Sequence, residues 1–280
     1  MPPQTPLILV DNVFDTVNQQ VLGVLSSSGD AANRSVRNIA NYRRERDYWQ
    51  AATSAADHYV AVDIGAGNTH AIDACWIDRG HNLWGHTVRV DASDASDFST
   101  GDGIQRVVPA AGTVGGDPVT GWCVTEEGAL YTLYNAGFSA RRYFRLRVVS
   151  EAQPILTGVI LGARTQLAGY SRKRDEDAGA RTERSQESDA GYQSTDRVYD
   201  HRTCTLDLKV IGASEYDTKI RSLRTLLFAR NQPAVVAIDF GTNPERAWLF
   251  QYSGRNWSFG MERVHRAGTI QLRELYPAIR

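Results

Sequence analysis

Two histidines with nearby aspartates are the residues of this 280-residue chain whose types could hold a metal ion. His81 and His86 lie close in sequence to Asp78 and Asp91, and imidazole and carboxylate groups are common metal ligands. Their spacing matches neither His-Glu-x-x-His nor paired Cys-x-x-Cys motifs. A second acidic set lacks the Asp-x-Asp-x-Asp-Gly spacing of a calcium loop; it consists of Asp91, Asp94, Asp97 and Asp102. We therefore predict a solvated polar loop, no metal site and no cofactor.

A phosphate-binding function is suggested by Asp63-Ile64-Gly65 together with Asp239-Phe240-Gly241. This pair resembles the two Asp-x-Gly turns that hold phosphates in actin-like ATPases. In that superfamily helices separate the strands that follow, and here they do not. An aspartate at a strand end also accepts a hydrogen bond from its own turn backbone, and glycine permits the reversal. We interpret these as structural turns and, since the chain also lacks a Gly-x-Ser-x-Gly elbow, we predict that the protein is not an enzyme.

Sugar binding is the chemistry best served by the turn from His81 to His86. Aromatic rings stack on the apolar face of a sugar, and amide and imidazole groups can bond its hydroxyls. Trp76, inside a predicted strand, is expected in the core, whereas Trp84 lies within the turn. The candidate carbohydrate-binding loop therefore contains His81, Asn82, Trp84 and His86.

Composition excludes several classes of function. The 31 basic and 32 acidic residues give a net charge of −1, without the basic excess of a general nucleic-acid binder. No apolar run is long enough for a membrane helix, and the amino terminus lacks the pattern of a signal peptide. We therefore expect that the protein does not insert into a membrane and that it assembles in a cytoplasm. Three cysteines are too few and too scattered for a disulfide scaffold.

Apolar alternation predicts a mainly β chain. Three consecutive strands are expected between Tyr59 and Val90, with turns at Gly65 and Gly80. Ala71 to Ile77 is apolar on both sides, which favours a strand buried between layers. Further strands are predicted at 7–10, 21–25, 122–124, 130–134, 141–149 and 158–163. Residues 38–50 are compatible with a short helix or an irregular loop, and 107–118 with a loop.

The composition changes at residue 168. Residues 168–202 carry dense mixed charge and few large apolar side chains, which is typical of a linker, a surface loop or an arm. After it, strands are predicted at 203–211, 234–239 and 247–252, and a helix at 214–230. Ser214 is the expected N-cap of this helix. Its apolar face is formed by Ile220, Leu223, Leu226 and Leu227.

The order of the motifs in the first half resembles the discoidin-like or galactose-binding-like jelly roll of tailed-bacteriophage virion proteins. The resemblance covers roughly residues 5–166 and rests on Asp63-Ile64-Gly65, Ala71–Ala74, Gly80–Leu83, Arg142–Leu146 and Val159–Gly162. The layout of the last part resembles the small β-rich domain of phage distal-tail proteins. The implied domains are a jelly-roll β-sandwich at 1–167, a charged linker or arm at 168–202, and a distal-tail-like β-rich domain with one helix packed on a sheet at 203–280.

The resemblance implies a structural component of a phage tail tip or baseplate. Such a protein would form a homo-oligomeric ring, contact tail tube and hub proteins, and reside in the virion after assembly in the host cytoplasm. The alternative is a carbohydrate-binding or host-receptor-binding module on the virion that recognises a cell-surface glycan. No nucleic-acid partner is expected in either case.

Overall fold

The protein is mainly β in this computed structural model, which describes residues 6–15, 24–40, 48–54, 57–135, 137–149, 153–167, 170–187, 193–237, 240–254, 259–262 and 265–275. A short 3-10 helix spans Val36–Ala40. The strands of these residues are, in chain order, β1 (Leu7–Val10), β2 (Val24–Ser27), β3 (Trp49–Gln50), β4 (Asp57–Asp63), β5 (Ala74–Ile77), β6 (Thr87–Ser93), β7 (Gly101–Val107), β8 (Cys123–Val124), β9 (Leu130–Leu133), β10 (Tyr143–Val149), β11 (Ile155–Leu156), β12 (Val159–Gln166), β13 (Tyr170–Glu187), β14 (Gln193–Ile211), β15 (Ala234–Ala237), β16 (Ala247–Tyr252), β17 (Phe259–Glu262) and β18 (His265–Glu274).

The first compact unit, Gln4–Gln166 with Val235–Trp248, is a jelly-roll β-sandwich. One sheet has the strand order β2-β4-β10-β6-β7. In this unit the opposing strands follow the order β15-β1-β12-β5-β9-β8, and β3 pairs with β11 separately. Successive strands repeatedly change sheet, which brings distant parts of the sequence side by side. The jelly roll expected from the sequence is confirmed.

The core of the sandwich follows from the alternation of side chains along each strand. In β10, Phe144, Leu146 and Val148 are buried, while the intervening side chains face outward and are partly exposed. The buried strand predicted at 71–77 is shorter in the structure: β5 covers only its last four residues, Ala74–Ile77, and these are all buried. Trp76 is 2% exposed, so its expected place in the core is also confirmed.

Strand β7 and its inward-facing arginine were not predicted. Gly101 and Gly103 give this strand little β propensity, so only its pairing with β6 reveals it. The half-buried guanidinium of Arg106 donates to the carbonyl oxygens of Pro118, Val119, Gly121 and Leu133, and to the Thr132 hydroxyl. Arg106 thereby fastens the loop after β7 to the edge of the sandwich.

The second compact unit, built mainly from Leu167–Ala234 and Leu249–Arg280, is a smaller β-rich unit with one helix. β14 pairs with β13 on one side and β18 on the other, and β16 and β17 pair with β18. Helical residues 213–229 comprise α-helical Ala213–Glu215 and Arg221–Leu223 and π-helical Tyr216–Ile220 and Arg224–Ala229. No helix among the described residues is long and apolar enough to cross a membrane.

The helix packs on this sheet through the predicted face, since Ile220, Leu223, Leu226 and Leu227 are all buried. At its two ends, ring contacts join Tyr216 to Phe259 at 5.9 Å and Phe228 to Tyr252 at 5.5 Å. The predicted N-cap was wrong. Gly212 occupies that position without a side-chain bond, and Ser214 lies within the helix, where its carbonyl accepts from the Thr218 hydroxyl.

The segment expected as a charged linker or arm lies largely in two paired strands. β13 and β14 form a long antiparallel hairpin, with Ala178 opposite Arg202 and Glu187 opposite Gln193. Residues 168–169 and 188–192 of that segment lie outside the described residues. The compact units divide at 166/167, next to the predicted boundary at 167/168, but Val235–Trp248 belongs to the sandwich and not to the second unit.

Candidate functional site

The turn between β5 and β6 holds the four predicted sugar-binding residues, and His81 is its buried support. Its side chain is 6% exposed and lies 3.1 Å from the Gly128 carbonyl through Nε2. Nδ1 accepts from the Leu83 N–H at 3.2 Å, which makes Nε2 the protonated nitrogen that donates to Gly128. Burial lowers the pKa of His81 from 6.5 to about 4. His81 is therefore a neutral hydrogen-bonding side chain that fixes the turn.

Asn82 is exposed and ties the turn to the segment that leads into β11. Its amide donates from Nδ2 to the Gln153 carbonyl at 2.9 Å, and its Oδ1 accepts from the Ile155 N–H at 2.7 Å. An amide carries two N–H donors and two acceptor lone pairs. These two bonds thus use half of the hydrogen-bonding capacity of Asn82 and fix the orientation of the rest.

Trp84 lies against His81, with ring centroids 4.6 Å apart and an interplanar angle of 49°. The indole is half-buried and packs on the hydrophobic core, so one part of the ring is supported and another remains accessible. Gly85 follows with a φ of +76°, a conformation that glycine adopts without strain. His86 is also half-buried, and its backbone N–H donates to the Leu83 carbonyl at 3.0 Å, which closes the turn. The structure thus presents Asn82, Trp84 and His86 at a rigid turn.

The rim around this turn is held by ionic and polar contacts. Arg79 pairs with Glu127 at 3.0 Å, which joins the turn to the loop between β8 and β9. The Thr157 hydroxyl donates to the carbonyls of Asp78 and Arg79 at 3.1 and 2.6 Å. Three loops of the sandwich therefore meet at one end and fix one another.

The acidic residues considered as metal ligands have other partners. Asp91 pairs with Arg89 and Arg145, whereas Asp94 and Asp102 both pair with Arg141. Asp97 accepts from the backbone and hydroxyl of Ser99, and these bonds lower its pKa. Within the described residues no group of three or more His, Cys, Asp or Glu side chains is arranged to hold a metal ion.

The Asp-x-Gly turn is structural, as the sequence indicated. Asp63 Oδ1 accepts from the Gly65 N–H at 2.8 Å, and Gly65 has a φ of +92°. The same carboxylate accepts two bonds from Arg142, at 2.6 Å from Nε and 2.7 Å from Nη2. The Arg142 guanidinium holds the pKa of Asp63 below its usual value. Asp239 of the second turn lies outside the described residues.

A second cluster was missed by the sequence analysis, on the outward face of the five-stranded sheet. Asp91 accepts from Arg89 at 2.5 Å and from Arg145 at 2.8 and 2.9 Å. Phe98 lies over the Arg145 guanidinium, 4.2 Å from ring centroid to Cζ. The available signal was the alternation of β10, which places Arg145 on the outward face, and the i, i+2 spacing of Arg89 and Asp91 on a strand. Only the pairing of β6 with β10 brings the two signals together.

Comparison with solved structures finds similar folds over about half of the sequence. No protein family model matches the chain. No protein with a curated description matches it either.

The solved structures that resemble the chain include a Ruminococcus gnavus GH29 fucosidase in complex with fucose, with 11% identity, a TM-score of 0.39, and coverage of 55% of this chain and 27% of that one. A Streptococcus pneumoniae fucose binding module has 9% identity, a TM-score of 0.38, and coverage of 55% and 95%. The C-terminal domain of a chitobiase from Bacteroides fragilis has 15% identity, a TM-score of 0.37, and coverage of 56% and 100%. The chain thus spans about a quarter of the fucosidase and nearly the whole of the two smaller domains, and at these identities the likeness concerns the fold of the jelly roll alone.

Proposed function

We propose that the jelly-roll unit binds carbohydrate at the turn between β5 and β6, without catalysis. The observation that carries the proposal is Trp84, a half-buried indole held on the buried ring of His81 at one end of the sandwich. A sugar ring has an apolar face that packs on an aromatic surface. Asn82 and His86 lie in the same turn and supply polar groups for sugar hydroxyls.

Rigidity supports this proposal. A flexible loop loses conformational entropy when it orders around a ligand. This turn is already fixed by the bonds of His81 to Gly128 and of Asn82 to Gln153 and Ile155. The geometry of the turn carries the proposal, and the solved structures of similar fold, which include sugar-binding modules, agree with it. The predicted ring-forming role in a phage tail tip, with its protein partners and virion location, stays a prediction.

A glycan array followed by calorimetry of the best neutral ligand tests the proposal. We expect Trp84→Ala to weaken binding by about tenfold or more, since loss of an aromatic platform removes both contact area and specific stacking. Phe228→Ala is the matched control, because Phe228 is a 38% exposed aromatic residue of the second unit. A blank array, or equal affinities for wild type and Trp84→Ala, would overturn the proposal.

A further inference from the structure

The outward face of the five-stranded sheet carries a charged cluster with an unusual balance of partners. Asp91 lies directly opposite Arg145 across the β6–β10 pair, and Arg89 lies two residues before it on the same face of β6. Both carboxylate oxygens are occupied, Oδ1 by Arg89 and Oδ2 by Arg145. Two guanidinium groups thus share one carboxylate, which leaves one positive charge in excess.

The exposures of these side chains show which arginine is available. The Asp91 side chain is 5% exposed and that of Arg145 is 19% exposed, whereas that of Arg89 is 38% exposed. Arg89 contacts Asp91 through Nε alone, so its two terminal nitrogens are not used by that carboxylate. Among the described residues Asp91 is also the one ion-pair partner of Arg89. Arg89 therefore presents a fork of N–H donors at the surface of this three-residue cluster.

Aromatic rings fix the cluster from above and from the side. The Arg145 guanidinium lies 4.2 Å from the Phe98 centroid and 5.8 Å from that of Tyr59. Phe98 has a φ of +58°, which is uncommon for a bulky residue and turns its ring back over the sheet. Its edge-on contact with Tyr143 at 6.5 Å continues the aromatic surface. Arg145 is held in place, and it in turn holds the carboxylate that positions Arg89.

Glycine makes the space in which Arg89 lies. Gly103 is opposite Asp91 on β7. A Cβ at Gly103 would overlap the Arg89 guanidinium and lie 2.6 Å from Asp91 Oδ1. The cross-strand row that contains Arg89 also contains Arg147 and Tyr59 on the next two strands, so Tyr59 is about 10 Å away across the sheet. The surface is therefore extended and suits a ligand longer than a single sugar.

We propose that this face binds an acidic oligosaccharide, with Arg89 as the residue that receives a uronate carboxylate. The fork of Arg89 fits the two oxygens of a carboxylate, and the excess positive charge favours an anion. Tyr59 lies where a neighbouring sugar ring can pack on it. The inference deepens the glycan binding proposed above and rests on it, but it assigns a separate surface and a charged class of ligand.

Calorimetric titration of the full chain with oligogalacturonate at low salt tests this inference. We expect Arg89→Gln to weaken binding by about tenfold or more, since a charge-assisted pair is lost. Arg37→Gln removes the same charge from an exposed residue of the 3-10 helix and should change the affinity less than about twofold. Arg89→Lys keeps the charge and the pairing with Asp91 but loses the fork, so it should be intermediate.

Several results would overturn the inference. The first is that the wild type does not bind oligogalacturonate. The second is that Arg89→Gln and Arg37→Gln lose affinity equally. The third, which applies if Arg89→Gln does not fold, is that Arg89→Lys keeps the wild-type affinity. Loss of oligogalacturonate binding in Trp84→Ala would move the acidic ligand to the turn and would also overturn it. Binding of neutral glycans that depends on Trp84, without any binding of oligogalacturonate, overturns the sheet-face site and leaves the proposed function standing. Binding of neither class overturns both.

Discussion

His81 lies beneath Trp84, with the two ring centroids 4.6 Å apart, and the buried ring supports the more accessible one. Both residues belong to the predicted carbohydrate-binding loop. The structure gives them different positions, because His81 is 6% exposed and uses both ring nitrogens within the protein. A substitution at His81 should therefore act on the turn, whereas one at Trp84 should act on the ligand.

The burial of His81 predicts a pH dependence of stability. Its pKa is about 4 in the folded protein, against 6.5 for an ordinary histidine, so the unfolded chain binds a proton that the folded chain does not. The free energy of unfolding should fall as the pH decreases from about 6.5 to 4, by up to about 3 kcal/mol from this residue. Urea unfolding of wild type and His81→Gln at several pH values measures it. Equal slopes for the two proteins between these pH values would contradict the prediction.

The Asp63 turn predicts a loss of stability without loss of any phosphate ligand. Asp63→Ala removes the bonds to Gly65 and Arg142 and should lower the free energy of unfolding by about 1–2 kcal/mol. Asp63→Asn keeps an oxygen for the Gly65 N–H and should lose less. Because the pKa of Asp63 is lowered, its contribution is fully present above the pKa of the unfolded carboxyl and is lost as the pH falls through the lower pKa of the folded protein. Nucleotide binding abolished by Asp63→Ala would restore the phosphate interpretation.

Because Arg106 donates to four carbonyl oxygens at the edge of the sandwich, we expect this arginine to contribute to the stability of the fold. Arg106→Met removes the guanidinium donor from the carbonyls of Pro118, Val119, Gly121 and Leu133. The Pro118 carbonyl keeps a bond from the Leu133 N–H, and the Gly121 carbonyl keeps one from the Thr132 hydroxyl. We expect a loss of about 3 kcal/mol, since a half-buried group of acceptors loses a charged donor. Thermal or urea unfolding measures this, with Arg37→Gln as the exposed control. A loss below about 0.5 kcal/mol would mean that water replaces the guanidinium without cost.

The β13–β14 hairpin allows a sharp test of the predicted ring. β14 begins to pair with β18 at Thr203. The residues before it, 193–202, pair only with β13 among the described residues. Replacing 179–201 by an Asn-Gly turn between Ala178 and Arg202 removes this extension and leaves the β14–β18 pairing intact. If the extension carries self-association, mass photometry will find a multimer for the full chain and a monomer for the shortened chain. A monomer in both cases would contradict the ring.

Local patterns determined much of this protein. The alternation of β10 identified its buried residues, and the spacing of Ile220, Leu223 and Leu227 identified the buried face of the helix. The Asp63 turn was likewise predicted from its residue types. Each of these signals depends on neighbours a few residues apart, where strand and helix periodicity directly decide which side chains share a face.

Tertiary structure decided the remaining features because they depend on non-local pairing. Arg145 reaches Asp91 only through the β6–β10 register, across 54 residues of sequence. The glycine-bearing strand β7 exists because β6 pairs with it, and Val235–Trp248 joins the sandwich because β15 pairs with β1. The sequence by itself could locate Trp84 in a turn. That a buried histidine supports its ring follows from loops brought together by the two sheets, since only folding places Gly128 beside His81.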